Sequence, residues 1–322
     1  MIKLHWLMAL LAALPAGAHT IETVELPRPE GPRSVMFVRP DATAAAPRPL
    51  VILLHGHTGT AAQLLGQRRT AAPLSKWLDI ADRDGVVLAA PDGARGSDDK
   101  QGWNDCRADA ESNPRTDDVA LVRDIIERAV AQYHADPARI YAMGMSNGGF
   151  MTFRLATEMP EKLAAVAAVS ASMPSKSECA APSKAVSLLV IAGDADPLVP
   201  FAGGDVRIWS TRSRGSALGV EKAVDGWREL AGLPARPSVV TTFDHNDLSD
   251  DTSAKRTKWG GDPKQVQVEL IVIHNGGHVE PSPSQRIGAI YRAVVGKQNA
   301  DFEAAEEAWS FFKTKASSRG AR

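Results

Sequence analysis

The chain has 322 residues, in which 37 lysines and arginines balance 38 aspartates and glutamates. Without a long basic run it offers no strip for a phosphate backbone, so nucleic acid is not an expected partner. Met1-Ile2-Lys3 precedes a largely apolar stretch from Leu4 to Leu14, followed by Pro15 and the small residues Ala16, Gly17 and Ala18. One early positive charge, a short apolar core and a small-x-small ending form an export signal cleaved after Ala18, too short to span a bilayer. Residues 19–322 are then one domain, as chains built on a single α/β sheet often are at this length. No second apolar stretch of spanning length occurs, and neither cysteine suits a lipid anchor, so the mature chain is expected to be soluble, secreted or periplasmic, with no membrane contact.

The two cysteines, Cys106 and Cys179, favour a disulfide, because an exported chain meets an oxidising compartment and a metal site rarely rests on two distant cysteines.

Asp41 to Pro49 is rich in Ala and Pro, and Leu50-Val51-Ile52-Leu53-Leu54 then runs continuously apolar until His55-Gly56. Such a run marks a strand buried on both faces. The same signature recurs at Val86 to Ala90 before Pro91-Asp92-Gly93, at Ile140 to Met143, Leu163 to Val169, Val186 to Ala192 and Val266 to Ile273, giving six expected strands. Between them, Asp117 to Tyr133 places Val122, Ile125, Ile126, Ala129 and Tyr133 at helical spacing, with Thr116 as the expected cap and Asp117 and Asp118 as helix-start charges. Phe150 to Glu158 and Glu221 to Leu230 carry weaker helical patterns. Strands alternating with helices predict a parallel sheet covered on both faces, with its ligand site beyond the carboxyl ends of the strands.

Two stretches break that rhythm. The polar loop from Ala94 to Arg115, rich in Gly, Asp and Asn, is of the kind that shapes a binding site, and Thr241 to Lys264 reads as a charged hairpin leading into the last strand. Ala300 to Lys313 reads as a closing amphipathic helix followed by a frayed basic tail. There is no internal repeat.

Gly144-Met145-Ser146-Asn147-Gly148 joins a strand to a helical pattern beginning at Gly149-Phe150. This is a nucleophile elbow: glycines stand where a β-carbon would collide, and the Ser146 hydroxyl is pushed into the cleft at a helix N-terminus that favours developing negative charge. A serine hydroxyl is a weak nucleophile until a base takes its proton. In α/β-hydrolases the chain order is serine, acid, histidine. His278, in Asn275-Gly276-Gly277-His278 after the last strand, is the expected base, with His274 and His245 as rivals. His274-x-x-x-His278 is a poor metal pair, because that spacing faces one way only on a helix and Asn-Gly-Gly breaks helices. The acid falls in Gly193-Asp194-Ala195-Asp196-Pro197, where two aspartates compete to orient the imidazole. His55-Gly56-His57-Thr58-Gly59 follows the first strong strand, where one half of an oxyanion hole is expected. The amides of His57 and Asn147 are the expected donors, Gly56 allowing close approach. The His57 side chain either touches substrate or is an exposed loop histidine, and Trp103 either lines the acyl or alcohol pocket or packs on its own loop.

These motifs resemble the secreted polyhydroxybutyrate depolymerase and feruloyl esterase family, of carbohydrate-esterase type. Leu53-Leu54-His55-Gly56, Gly102-Trp103-Asn104-Asp105, Asp117-Asp118-Val119, Gly144 to Gly149, Asp196-Pro197-Leu198-Val199-Pro200 and Gly276-Gly277-His278 match its blocks in order along nearly the whole mature chain. The resemblance implies the α/β-hydrolase fold, ester substrates, no cofactor, and a triad of Ser146, Asp196 and His278, which favours Asp196 over Asp194. One position departs from it: Val279-Glu280-Pro281 stands where the family shows x-Trp-Pro, so Glu280 is a candidate substrate-contacting residue that cannot stack as an aromatic ring does. Small or oligomeric esters are expected substrates rather than solid polymer, since no Thr-rich linker or adsorption domain is seen, and no obligate protein partner is implied. Two other readings compete. One is a prolyl-type serine peptidase, which uses the same triad but usually carries a large extra domain; the other is a non-catalytic binding protein on an esterase scaffold.

Overall fold

All six apolar runs become the parallel centre of one sheet, as expected for strands with no polar face to show to water. The computed structural model describes residues 19–41, 47–207, 213–245 and 251–317; the proposed export signal lies outside them. The sheet has ten strands: β1 (His19–Leu26), β2 (Arg33–Pro40), β3 (Arg48–Leu54), β4 (Val87–Pro91), β5 (Ala135–Met145), β6 (Ala165–Val169), β7 (Ser187–Gly193), β8 (Val239–Thr242), β9 (Ser253–Trp259) and β10 (Val268–His274). Their order is β1-β2-β4-β3-β5-β6-β7-β10-β9-β8. The six strands from β4 to β10 in that order are parallel, and an antiparallel pair closes each edge. The expected charged hairpin is the β8–β9 pair.

Six helices matter for the core: α1 (Trp77–Asp84), α2 (Asp118–Tyr133), α3 (Asn147–Glu158), α4 (Val220–Leu230), α5 (Ala289–Val295) and α6 (Ala304–Phe312). One buried layer joins Leu50, Ile52, Ile140 and Val190 to α2, α3 and α4. The opposite layer joins Val51, Leu53, Tyr141 and Ile191 to α1 and α6, where Tyr141 stacks on Phe312 at 4.9 Å. Strand alternation thus feeds two cores, and the molecule is a single α/β-hydrolase domain.

Three local expectations are corrected. The cap of α2 is Asp117 rather than Thr116: its carboxylate accepts from the Ala120 amide at 2.9 Å, while the Thr116 hydroxyl turns to Asp118. Asp118 is more than a helix-start charge. It is fully buried, pairs with Arg33 at 3.0 Å and accepts from the Asn104 amide at 2.8 Å, so it ties the polar loop to the sheet edge. The chain after α6 is not frayed as far as Ser317: Lys315 is buried, its carbonyl accepts from the Tyr141 hydroxyl, and the Ser317 amide bonds to Ala138. Residues 318–322 lie outside the described set.

Candidate active site

Four of the candidate site residues follow the carboxyl end of a parallel strand: His57 after β3, Ser146 after β5, Asp196 after β7 and His278 after β10. Ser146 has φ 55° and ψ −121°, a conformation L-residues rarely hold, and caps α3 without spending its hydroxyl on the helix. The glycines around it leave no alternative: a β-carbon on Gly144 would lie 2.1 Å from the Gly148 carbonyl oxygen, and one on Gly148 would lie 2.2 Å from that of Leu54. Ser146 is nearly buried, and its hydroxyl makes no hydrogen bond among the described residues, to His278 or to any other group. Such contacts are often loose before substrate arrives.

The other half is tightly built. His278 Nδ1 lies 2.7 Å from Asp196 Oδ2, and both side chains are buried. Asp196 Oδ1 accepts from the amides of Leu198 and Val199 at 2.8 and 2.9 Å, so the carboxylate has little freedom to turn. The loop bearing His278 is laced to the start of the next segment by Gly277 N–H to Lys297 and His278 N–H to Val295, and a β-carbon on Gly277 would strike the Val295 carbonyl at 2.2 Å. With Asp196 fixing Nδ1, the ring's Nε2 is left for a proton from elsewhere. The rivals are engaged apart from it: Asp194 pairs with the exposed His274 at 2.8 Å, and His245 meets Asp301 at 2.9 Å.

The amides of His57 and Asn147 find no acceptor among the described residues, whereas those of Thr58 and Gly59 are used by Gln101 and Gly56. His57 is not an exposed loop histidine: the ring is 7% exposed, wedged between Asp98 and Arg214. Burial first, then the Arg214 charge, pushes its pKa down to about 4, so the ring is neutral at ordinary pH. Trp103 does not line a pocket. It is fully buried, its indole N–H donates to the His55 carbonyl at 2.8 Å, and its amide donates to Asn147 Oδ1 at 2.7 Å. Asn147 Nδ2 also reaches Asp105 at 2.6 Å, and Asp105 forms a buried ion pair with Arg107. The Gly102 to Asp105 block therefore buttresses the elbow.

The Cys106–Cys179 disulfide is present and ties that block to the segment after β6, beside the backbone bond from Glu178 to Cys106. Glu280 is half-buried two residues past His278, and burial raises the pKa of its carboxyl while His278 works the other way. Sequence reasoning missed Arg214 and Asp98. Neither sits in a motif, and 116 positions separate the two that meet at 2.7 Å.

A serine at a strained elbow, a carboxylate-backed histidine and two amides without an acceptor among the described residues stand on the carboxyl rim of a parallel sheet, an arrangement of the α/β-hydrolase kind. The esterase PHB depolymerase family matches residues 34–235, and the chain belongs to that family, among the carboxylic ester hydrolases. The protein NocK of Nocardia uniformis subsp. tsuyamanensis, provisionally named an esterase, is 29% identical over 277 residues, which are 82% of this chain and 74% of NocK. Feruloyl esterase B of Piromyces equi is 27% identical over 238 residues, 72% of this chain but only 40% of that enzyme's length. Among solved structures, an acetyl xylan esterase from Aspergillus awamori superposes with a TM-score of 0.59 over 92% of this chain and 99% of its own, at 13% identity, a likeness of fold.

Proposed function

We propose that this chain is an exported serine esterase that hydrolyses small or oligomeric carboxylic esters through an acyl-enzyme. Ser146 Oγ attacks the ester carbonyl while His278 Nε2 takes its proton, and the amides of His57 and Asn147 hold the oxyanion. His278 then gives the proton to the departing alcohol. Water, deprotonated by the same ring, releases the acid and restores Ser146. Asp196 keeps the ring in the tautomer that leaves Nε2 free and balances the imidazolium.

The observation that carries this reading is the Asp196–His278 contact, set on the same rim of the sheet as a strained serine whose hydroxyl is uncommitted. Feruloyl, acetyl and hydroxyalkanoate esters are the substrate classes proposed, in line with the names of the relatives. Export is supported by the Cys106–Cys179 bridge, which persists in oxidising compartments.

The test is labelling of the mature protein by a fluorophosphonate, with peptide mapping, beside a panel of short and long nitrophenyl esters, methyl ferulate and hydroxybutyrate oligomers. The label is expected on Ser146 alone, and Ser146→Ala is expected to lose both label and turnover while keeping its melting temperature. A label on another residue, or an active Ser146→Ala protein, overturns the assignment.

A further inference from the structure

His57 would serve only through its backbone, yet its ring is held by more contacts than a spectator needs. Arg214 donates to His57 Nδ1 at 2.9 Å, and the other ring nitrogen, Nε2, meets Asp98 Oδ2 at 3.1 Å. The same guanidinium bonds Asp98 at 2.7 Å, closing a three-membered ring of contacts. Arg214 is 9% exposed and stands on the hairpin formed by Gly204–Arg207 and Ser213–Ala217, far along the chain from His57. Its own carbonyl accepts from Arg107, whose carboxylate partner Asp105 binds the Asn147 side chain. One polar chain therefore runs from the residue bearing one proposed oxyanion donor to the residue bearing the other.

We infer that Arg214 is a positioning residue for the oxyanion hole, fixing the His57 ring and through it the direction of the His57 amide. The inference rests on the esterase reading above. The turn at His57 needs such a hold: Thr58 has φ 69°, an uncommon conformation for a β-branched residue, and its amide is drawn to Gln101. A loop strained in this way keeps one peptide orientation only while its surroundings over-determine it. A guanidinium suits the task because its planar fork serves Asp98 and the His57 ring together, which an ammonium does less well. The contact also fixes the tautomer: Nδ1 accepts from Arg214, so the proton resides on Nε2 and points to Asp98. The charged groups facing this ring are Arg214, Asp98 and Arg107, and the two cations oppose a second proton on it.

The experiment compares wild type with Arg214→Met and Arg214→Lys in the mature protein. The variants keep the hairpin anchored, since Arg107 holds the backbone carbonyl of residue 214 rather than its side chain. With a neutral nitrophenyl acetate, Arg214→Met is expected to lower kcat about 10- to 100-fold, with KM within about threefold, as for an interaction felt chiefly in the transition state. Arg214→Lys is expected between the two. NMR of the His57 ring gives a readout independent of turnover: its pKa, about 4 in wild type, is expected to rise in Arg214→Met, where a repelling charge is gone and Asp98 remains. Wild-type kcat in Arg214→Met, a loss confined to KM, or a His57 titration that does not move overturns this inference alone. Wild type that is inert toward both esters and fluorophosphonate overturns the esterase reading and takes this inference with it.

Discussion

Asp196 Oδ2 lies 2.7 Å from His278 Nδ1, while Asp194, two residues earlier on the same turn, faces His274 instead. The aspartates differ in surroundings as well as partner: Asp196 and His278 are buried, and the Asp194–His274 pair is exposed to solvent that screens it. Asp196→Asn is therefore expected to lower kcat by about 10³- to 10⁴-fold, because an amide in that place favours the wrong tautomer of His278, the proposed base. Asp194→Asn is expected to change it less than about threefold, an exposed pair contributing little. Steady-state kinetics on one neutral ester checks both, and the reverse order of effects would reassign the acid.

The disulfide makes a separable prediction about stability. Cys106 and Cys179 are 73 positions apart, and a cross-link closing a loop of that size restrains the unfolded chain by about 4 kcal/mol in the chain-entropy account. The double variant Cys106→Ala, Cys179→Ala is expected to melt roughly 10 °C lower in scanning calorimetry. Wild type with an added reductant should approach the same value. Thiol counting on denatured, unreduced wild type is expected to find no free cysteine. Two free thiols, or a variant as stable as wild type, would remove the bridge from the account of stability.

How far the sequence speaks depends on the range of the interactions concerned. The six parallel strands are legible because burial on both faces forces unbroken apolar runs such as Leu50 to Leu54. β1 is not, since its burial alternates irregularly along a mostly wetted edge. α1 carries Trp77, Ile80 and Ala81 on one short face, too few positions to stand out before the structure shows them packing against α6. At the candidate site, the Ser146 elbow and the His278 loop are readable because their glycines constrain neighbouring residues. Trp103 stands open between two roles in the sequence because a loop sequence does not say which way a ring points, and the bond to His55 decides it. Arg214 and Asp98 belong to no local pattern, and only the fold brings them to His57.

Lys315 gives a pH-dependent prediction. Its ammonium is buried against Gln267 and the Phe311 ring, and burial pulls its pKa down to about 8, below the ordinary 10.5. Between those values the unfolded chain binds a proton that the native state does not. Stability should therefore rise with pH through that window, and the unfavourable contribution should be fully present below about 8. The rise attributable to this group is up to about 3 kcal/mol. Lys315→Met, which keeps the stem and drops the charge, should be more stable than wild type at pH 7 and lack this part of the slope between pH 8 and 10. Urea melts of the two proteins at several pH values provide the comparison, and parallel slopes would place the Lys315 ammonium in water.

Glu280 bears on specificity. It stands two residues after His278 in the position where the resembled family carries an aromatic ring, and its carboxyl hydrogen-bonds no other residue among those described. Tyr291, on α5, is half exposed close enough for the Glu280 charge to add to the effect of burial in raising the phenol's pKa. A half-buried carboxylate beside the base repels an anionic substrate more than an exposed one does, because little water screens it. Glu280→Gln keeps the shape and removes the charge, so kcat/KM for an ester bearing a free carboxylate is expected to rise about tenfold, with less than about twofold change for a neutral ester of equal length. The pH dependence follows from the raised pKa. Discrimination against the anionic ester is present while Glu280 is ionised and fades as the pH falls through that raised value, above where an ordinary glutamate would protonate. In Glu280→Gln the ratio of the two kcat/KM values should lose this dependence. The native state also holds the Glu280 proton more tightly than the unfolded chain does, so its ionisation weakens the fold as pH rises, and Glu280→Gln should gain stability at pH 7. Equal changes for both esters, with no gain in stability, would mean that Glu280 faces open solvent and leaves specificity to other residues.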